Sequence, residues 1–135
     1  MRIRRSYVML LLLALAVVVI AGGARLRPFR GIDASDIAAV SVRCLPPGEE
    51  TELTQAQIEE IAELLPTVVI YQKDDSGAEY AGQSVTFTME KTDGETITVT
   101  AFAPFLEVDG VWYRAKQSPC EALSDLGNRL IEENA

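Results

Sequence analysis

The chain has 135 residues, 12 basic and 20 acidic, with two cysteines, no histidine and a formal net charge of −8. Charge is segregated: Arg2, Arg4, Arg5, Arg25, Arg27 and Arg30 are half of the basic residues, every acidic residue lies beyond position 30, and residues 31–135 carry −14. An acidic body lacks the Lys/Arg track that displaces phosphate counterions, which argues against a nucleic-acid partner. The missing imidazole removes Ser-His-Asp and Cys-His sites and His-ligated zinc.

The N-terminus reads as a membrane segment. A basic head at 1–6 precedes Tyr7–Ala24, 18 residues without a charge, or about 27 Å of helix at 1.5 Å per residue. That length is short for a spanning helix and long for a signal-peptide core. Gly22 and Ala24 fit a small-x-small cleavage site, whereas Arg25, Arg27 and Arg30 fit the interfacial flank of an uncleaved helix. The reading is a single-pass anchor at 7–24, with a secreted, signal-cleaved product as the alternative. A short head before a long acidic domain orients the chain with its C-terminal domain outside the cytoplasm. Residues 25–35, broken by Pro28 and Gly31, read as a juxtamembrane linker, and 36–135 as the extracytoplasmic domain.

Ile37–Leu45 alternates, with Val40, Val42 and Cys44 on one face and Ala39, Ser41 and Arg43 on the other: a half-buried strand ended by Pro46-Pro47-Gly48. Thr54 and Gln57 form a capping box, with Leu53 and Ile58 at the staple positions. Ile58, Ile61, Ala62 and Leu65 then make the apolar stripe of a helix stopped by Pro66. Val68–Lys73 is a β-prone run, followed by the longest loop, DDSGAEYAGQ. Ser84–Phe102 predicts a hairpin turning at Asp93-Gly94, with Val85, Phe87, Met89, Ile97, Val99 and Ala101 inward and a ladder of Thr outward.

A second hairpin turns at Asp109-Gly110, with Leu106, Val108, Val111 and Tyr113 assigned inward. The last helix is expected to open on Ser118 as N-cap, with Pro119 first and Glu121 closing the box. Leu123, Leu126, Gly127, Leu130 and Ile131 form its stripe, and Gly127 there implies close approach to the sheet. The fold class is therefore α+β: a mainly antiparallel sheet of four to six strands with two helices on one face, after the N-terminal transmembrane helix.

Cys44 and Cys120 both point inward and are a candidate disulfide. Bridging them closes a loop of about 76 residues, a constraint of at most about 4 kcal/mol in the chain-entropy model. Two separate buried thiols are the alternative. Glu59, Glu60 and Glu63 read as the wet face of a helix. Asp74, Asp75 and Glu79 miss the alternate-position pattern of a calcium loop. No phosphate loop, G-x-S-x-G or HExxH occurs, so the chain reads as a non-enzyme needing no cofactor and no metal. A small envelope enzyme, or an inhibitor of peptidases or wall enzymes, is the alternative. Trp112 and Arg114 fall on the face opposite the core; with Phe102 and Phe105 around them they are the candidate partner surface.

The stretches DIAAVSVRCLPPGEETELTQAQIEEIAELLPTVVIYQKDD, EYAGQSVTFTMEKTDGETITV, APFLEVDGVWYRAK and SPCEALSDLGNRL resemble small membrane-anchored, exported α+β modules of low-GC Gram-positive bacteria. Over the hairpin and helix start VDGVWYRAKQSPCEAL, the chain is also similar to the repeat of copper amine oxidase N-terminal-like domains. The resemblance implies a location and a fold, a membrane-anchored exported α+β domain, with no established activity and no catalytic site. Taken with the export signal and the absent catalytic motifs, the expectation is an interaction or sensory module, with an unidentified envelope protein as the candidate partner.

Overall fold

A computed structural model describes residues 25–135. The basic head and the anchor expected at 7–24 lie outside the described residues. Among the described residues no helix is long and apolar enough to cross a membrane.

Seven strands and two helices make an α+β domain: β1 Ile37–Leu45, β2 Glu49–Glu52, α1 Gln55–Leu64, β3 Ile70–Lys73, β4 Ser84–Lys91, β5 Thr96–Phe102, β6 Phe105–Val108, β7 Val111–Ala115 and α2 Gln117–Glu133. They form one sheet in the order β2-β1-β4-β5-β6-β7-β3, and every pair is antiparallel. The seventh strand, β2, escapes the sequence because Glu-Glu-Thr-Glu has no alternation. It is an edge strand, mostly exposed on both faces, and its carboxylates disfavour pairing with another chain.

Strand parity builds the core. Val40, Val42, Cys44, Val85, Phe87, Met89, Val99, Ala101 and Leu106 are buried on one face, in one cluster with Ile58, Ile61, Leu123, Leu126, Leu130 and Ile131 from the two helices and Leu65 from the 3-10 turn that follows α1. Gly127 is where α2 touches the sheet. A Cβ there would collide with the Val85 side chain and lie 3.2 Å from Val42 Cγ2, so only glycine allows the helix this close.

Both bonds of the α1 capping box form: Gln57 N–H donates to Thr54 Oγ1 (3.3 Å), and Thr54 N–H donates to Gln57 Oε1 (3.0 Å). Gln57 also donates to Asn134 Oδ1 at 2.9 Å and to Glu133 Oε2 at 3.2 Å, tying the start of α1 to the end of α2. The Ser118 cap is not made. Helix α2 begins at Gln117, after Lys116 in extended conformation and without a side-chain cap. The backbone of Lys116 is instead held by β3, its N–H donating to Val69 C=O at 2.9 Å, which starts the helix before Ser118 can cap it.

The segment expected to be a linker belongs to the domain. Leu26 and Ile70 exchange both backbone hydrogen bonds, at 2.9 and 2.8 Å. Phe29 is 4% exposed and sits in the main core. Asp33 and Asp36 then bracket a 3-10 turn leading into β1. Pro28 and Gly31 shape a turn here without freeing the chain, because Leu26 gains a partner strand and Phe29 a place in the interior.

Candidate functional site

The register brings the four expected surface residues together. Phe102 pairs with Phe105 and Phe105 with Arg114, while Glu107 pairs with Trp112. All four therefore lie on the face away from the helices, in adjacent rows. The same rows continue through the Thr ladder: Thr86 pairs with Thr100 and Thr88 with Thr98. The ladder is not uniformly wet, since Thr100 is buried and its hydroxyl lies 2.9 Å from that of Thr86.

Half of this patch is covered by the chain itself. The loop between β3 and β4 folds back as a strap over the aromatic row. It starts at Asp74, whose Oδ1 accepts the Ser76 N–H at 3.0 Å, and makes a 3-10 turn over Asp75–Glu79. Gly77 lies directly on Phe105: a Cβ there would be 2.7 Å from Phe105 Cβ. Gly82, at φ +154°, faces Phe102 just as tightly, its missing Cβ 2.9 Å from the ring. Tyr80 stacks on Phe105 with centroids 5.7 Å apart, and the Arg114 guanidinium lies 5.8 Å from the same ring centroid.

Phe105 is thus only 5% exposed. Its expected place on a partner surface is corrected: it is the post the strap is fastened to. Phe102 is half-buried under the same strap. The two glycines were the available signal, since Gly at intervals in a loop facing aromatic strands marks close backbone approach.

Trp112 and Arg114 stay accessible. Arg114 pairs with Asp74 at 3.8 Å. The Asp74 carboxyl is held below its usual range mainly by the Ser76 hydroxyl and N–H, with Arg114 adding to the effect. Beside Trp112 an open groove of about 530 Å³ runs between the β6–β7 turn and the end of β3, lined by Lys73, Asp74, Asp75, Gly110, Val111 and Trp112. Its floor is fixed by the bond from Asp74 N–H to Trp112 C=O, 3.0 Å. Val111 was assigned inward and has inward parity, yet it is 37% exposed. It sits at the tip of the hairpin, beyond the cover of α2. Sequence reasoning missed Lys73, Asp75 and Val111 as groove residues because β3 joins β7 only through a long-range pairing.

The turn at Asp109-Gly110 is tied to the neighbouring strand β5. Both residues have positive φ, 48° and 86°, the signature of the two-residue turn that suits hairpin twist. The Asp109 carboxylate accepts the Thr98 N–H at 2.9 Å, and the Asp109 N–H donates to Thr98 C=O at 3.0 Å. One wall of the groove is therefore held by two strands.

The pairing of Cys44 with Cys120 is not made in this structure. Both are free thiols, buried in the shared core. Burial pushes both pKa values up, Cys120 to about 12, with Glu49 and Glu121 adding to Cys44 and Cys120 respectively. Neither side chain is set up as a nucleophile. Of the acidic residues on α1, Glu60 pairs with Arg129, which also binds Glu133. Among the described residues, no group of three or more Cys, Asp or Glu side chains is placed to hold a metal ion.

No protein-family model, curated protein or solved structure matches the chain.

Proposed function

We propose that the chain is a single-pass membrane protein whose domain lies outside the cytoplasm and works by binding an envelope protein, as an interaction or sensory module rather than a catalyst. The observation that supports this reading is the groove at the β6–β7 tip. It joins an accessible Trp, an exposed Val and the charges of Lys73, Asp74 and Asp75. An aromatic anchor with an apolar neighbour and a charged rim is the composition of a protein-binding hot spot. The groove is shallow and open, as suits a side chain or loop of a partner more than an engulfed small molecule. The 18-residue apolar run, its Arg flank and the resemblance to exported modules support the location.

The test places a photoreactive amino acid at Val111 in the full-length chain, expressed in its native envelope. One discrete adduct is expected, weakened at least about ten-fold by Trp112→Ala, as for loss of a central aromatic anchor. The same probe at Thr88, on the middle of the sheet, is expected to give none. Equal adducts from both positions, or no dependence on Trp112, would reject the groove as the binding site.

A further inference from the structure

The end of the β3–β7 pair where the chain enters the domain carries an unusual surface for so acidic a body. Leu26 is bonded to Ile70, Ile70 pairs with Ala115, and Lys116 follows immediately with its N–H on Val69. Neighbouring strands lie about 4.8 Å apart, so Leu26 and Ala115 are only about 10 Å apart. Arg25 and Arg27 flank Leu26, and a turn from Arg27 C=O to Arg30 N–H, 3.2 Å, brings Arg30 alongside. All four cations are exposed.

Arg25, Arg27, Arg30 and Lys116 make no ion pair among the described residues; Lys91, Arg114 and Arg129 are each matched to a carboxylate, and the other two unpaired cations, Arg43 on β1 and Lys73 at the far end of β3, stand apart from this group. In their midst Leu26 is 54% exposed. Unpaired cations around an exposed leucine form the amphipathic pattern of a surface at the headgroup boundary. The geometry also leaves no slack. The apolar run ends at Ala24, and Leu26, two residues on, is already held to the sheet by both of its backbone hydrogen bonds to Ile70.

We infer that this end of the sheet is a membrane seat: Arg25, Leu26, Arg27, Arg30 and Lys116 lie against the anionic headgroups of the bilayer crossed by residues 7–24. The inference rests on the reading of that run as an anchor and deepens it by fixing the domain's orientation. Strand β3 leads away from the seat, from Ile70 to Lys73, about 10 Å at 3.3 Å per residue. The groove beside Trp112 therefore faces away from the bilayer. The acidic remainder is repelled by the same headgroups, so one orientation is favoured.

Lys116 and Lys91 allow a test on the intact chain, since the strand registers put Lys91, the last residue of β4, at the end of the sheet away from Ala115, in a surface ion-pair cluster. The full-length protein is reconstituted in nanodiscs of phosphatidylcholine alone, or with about 30% phosphatidylglycerol to supply anionic charge. Lysines are pulse-acetylated and located by mass spectrometry. In about 0.1 M salt, Lys116 is expected to react about five-fold more slowly in the anionic discs, with Lys91 unchanged and the difference lost at about 0.5 M salt. Arg27→Gln with Arg30→Gln is expected to remove the protection as well.

Equal Lys116 rates in the two discs, or equal protection of Lys91, would overturn the seat. Flotation with neutral vesicles at high salt separates the two ideas. A chain that floats but shows no Lys116 protection keeps the anchor and loses the seat. A chain that does not float loses both.

Discussion

Cys120 shows how a single residue reports its surroundings. Its thiol is fully buried, and burial raises its pKa from an ordinary 9.0 to about 12. In the folded chain it stays protonated to high pH, while in the unfolded chain it ionises near 9. Between those values the unfolded state has released a proton that the native state retains. Stability therefore falls as pH rises, by up to about 1.4 kcal/mol per pH unit from this group, and is undiminished by it below about pH 9. Cys44, shifted in the same direction, adds a contribution of the same sign. Urea unfolding midpoints measured from pH 8 upward are expected to fall less steeply for Cys120→Ala than for the parent. Parallel slopes would show that the thiol is not desolvated. That Cys44 and Cys120 point inward was legible from strand parity and helix stripe. Their depth of burial was not, because it depends on how closely α2 approaches the sheet, and Gly127 sets that.

Among the elements, the strap between β3 and β4 was the least legible. Its sequence is polar and glycine-containing, and reads as an ordinary surface loop. Its structure depends on contacts with rings on strands reached only later in the chain. Gly77→Ala tests this directly, because the new methyl would have to occupy the space of Phe105 Cβ and Cγ. The strap is expected to lift: limited proteolysis should cut between Asp74 and Gln83 faster in the variant. Global stability should fall by about 1–3 kcal/mol, as for overpacking elsewhere. Unchanged cleavage would mean that the strap does not rest on Phe105. By contrast, the β4–β5 and β6–β7 hairpins and the α1 cap were legible in detail. Each is specified by neighbours within a few residues: Asp93-Gly94, Asp109-Gly110, and Thr54 with Gln57. The Ser118 cap failed for the opposite reason. Two sites competed for the start of α2, and the long-range bond from Lys116 to Val69 decided between them.

Over the whole molecule, the question is where the domain begins. Composition placed the boundary after a linker at 25–35, but Leu26 and Phe29 are built into the fold. Phe29→Ala is expected to destabilise the domain by about 3–5 kcal/mol, the cost of emptying a buried aromatic site. Arg30→Gln, its exposed neighbour, should stay within about 0.5 kcal/mol. Thermal or urea unfolding of the full-length chain in detergent checks both, and a neutral Phe29→Ala would return 25–35 to the role of a tether. The same docking sets the arrangement proposed above, with a basic seat at the chain's point of entry and the binding groove at the far end of the β3–β7 pair.

By itself the sequence determined the class of fold, the inward and outward faces of its long strands, the apolar stripes of both helices and the turns of both hairpins. These follow from side-chain period and local turn chemistry, which act over a few residues. Tertiary structure alone decided the strand order, the acidic edge strand β2, the strap over Phe102 and Phe105, and the incorporation of Leu26 and Phe29. Each depends on pairing residues far apart in the chain, where the register, and not any local pattern, selects the partner. The aromatic row shows the division most clearly. Parity placed Phe102, Phe105, Trp112 and Arg114 on one face, but only the folded chain showed that its own glycines cover the first two and leave Trp112 and Arg114 accessible.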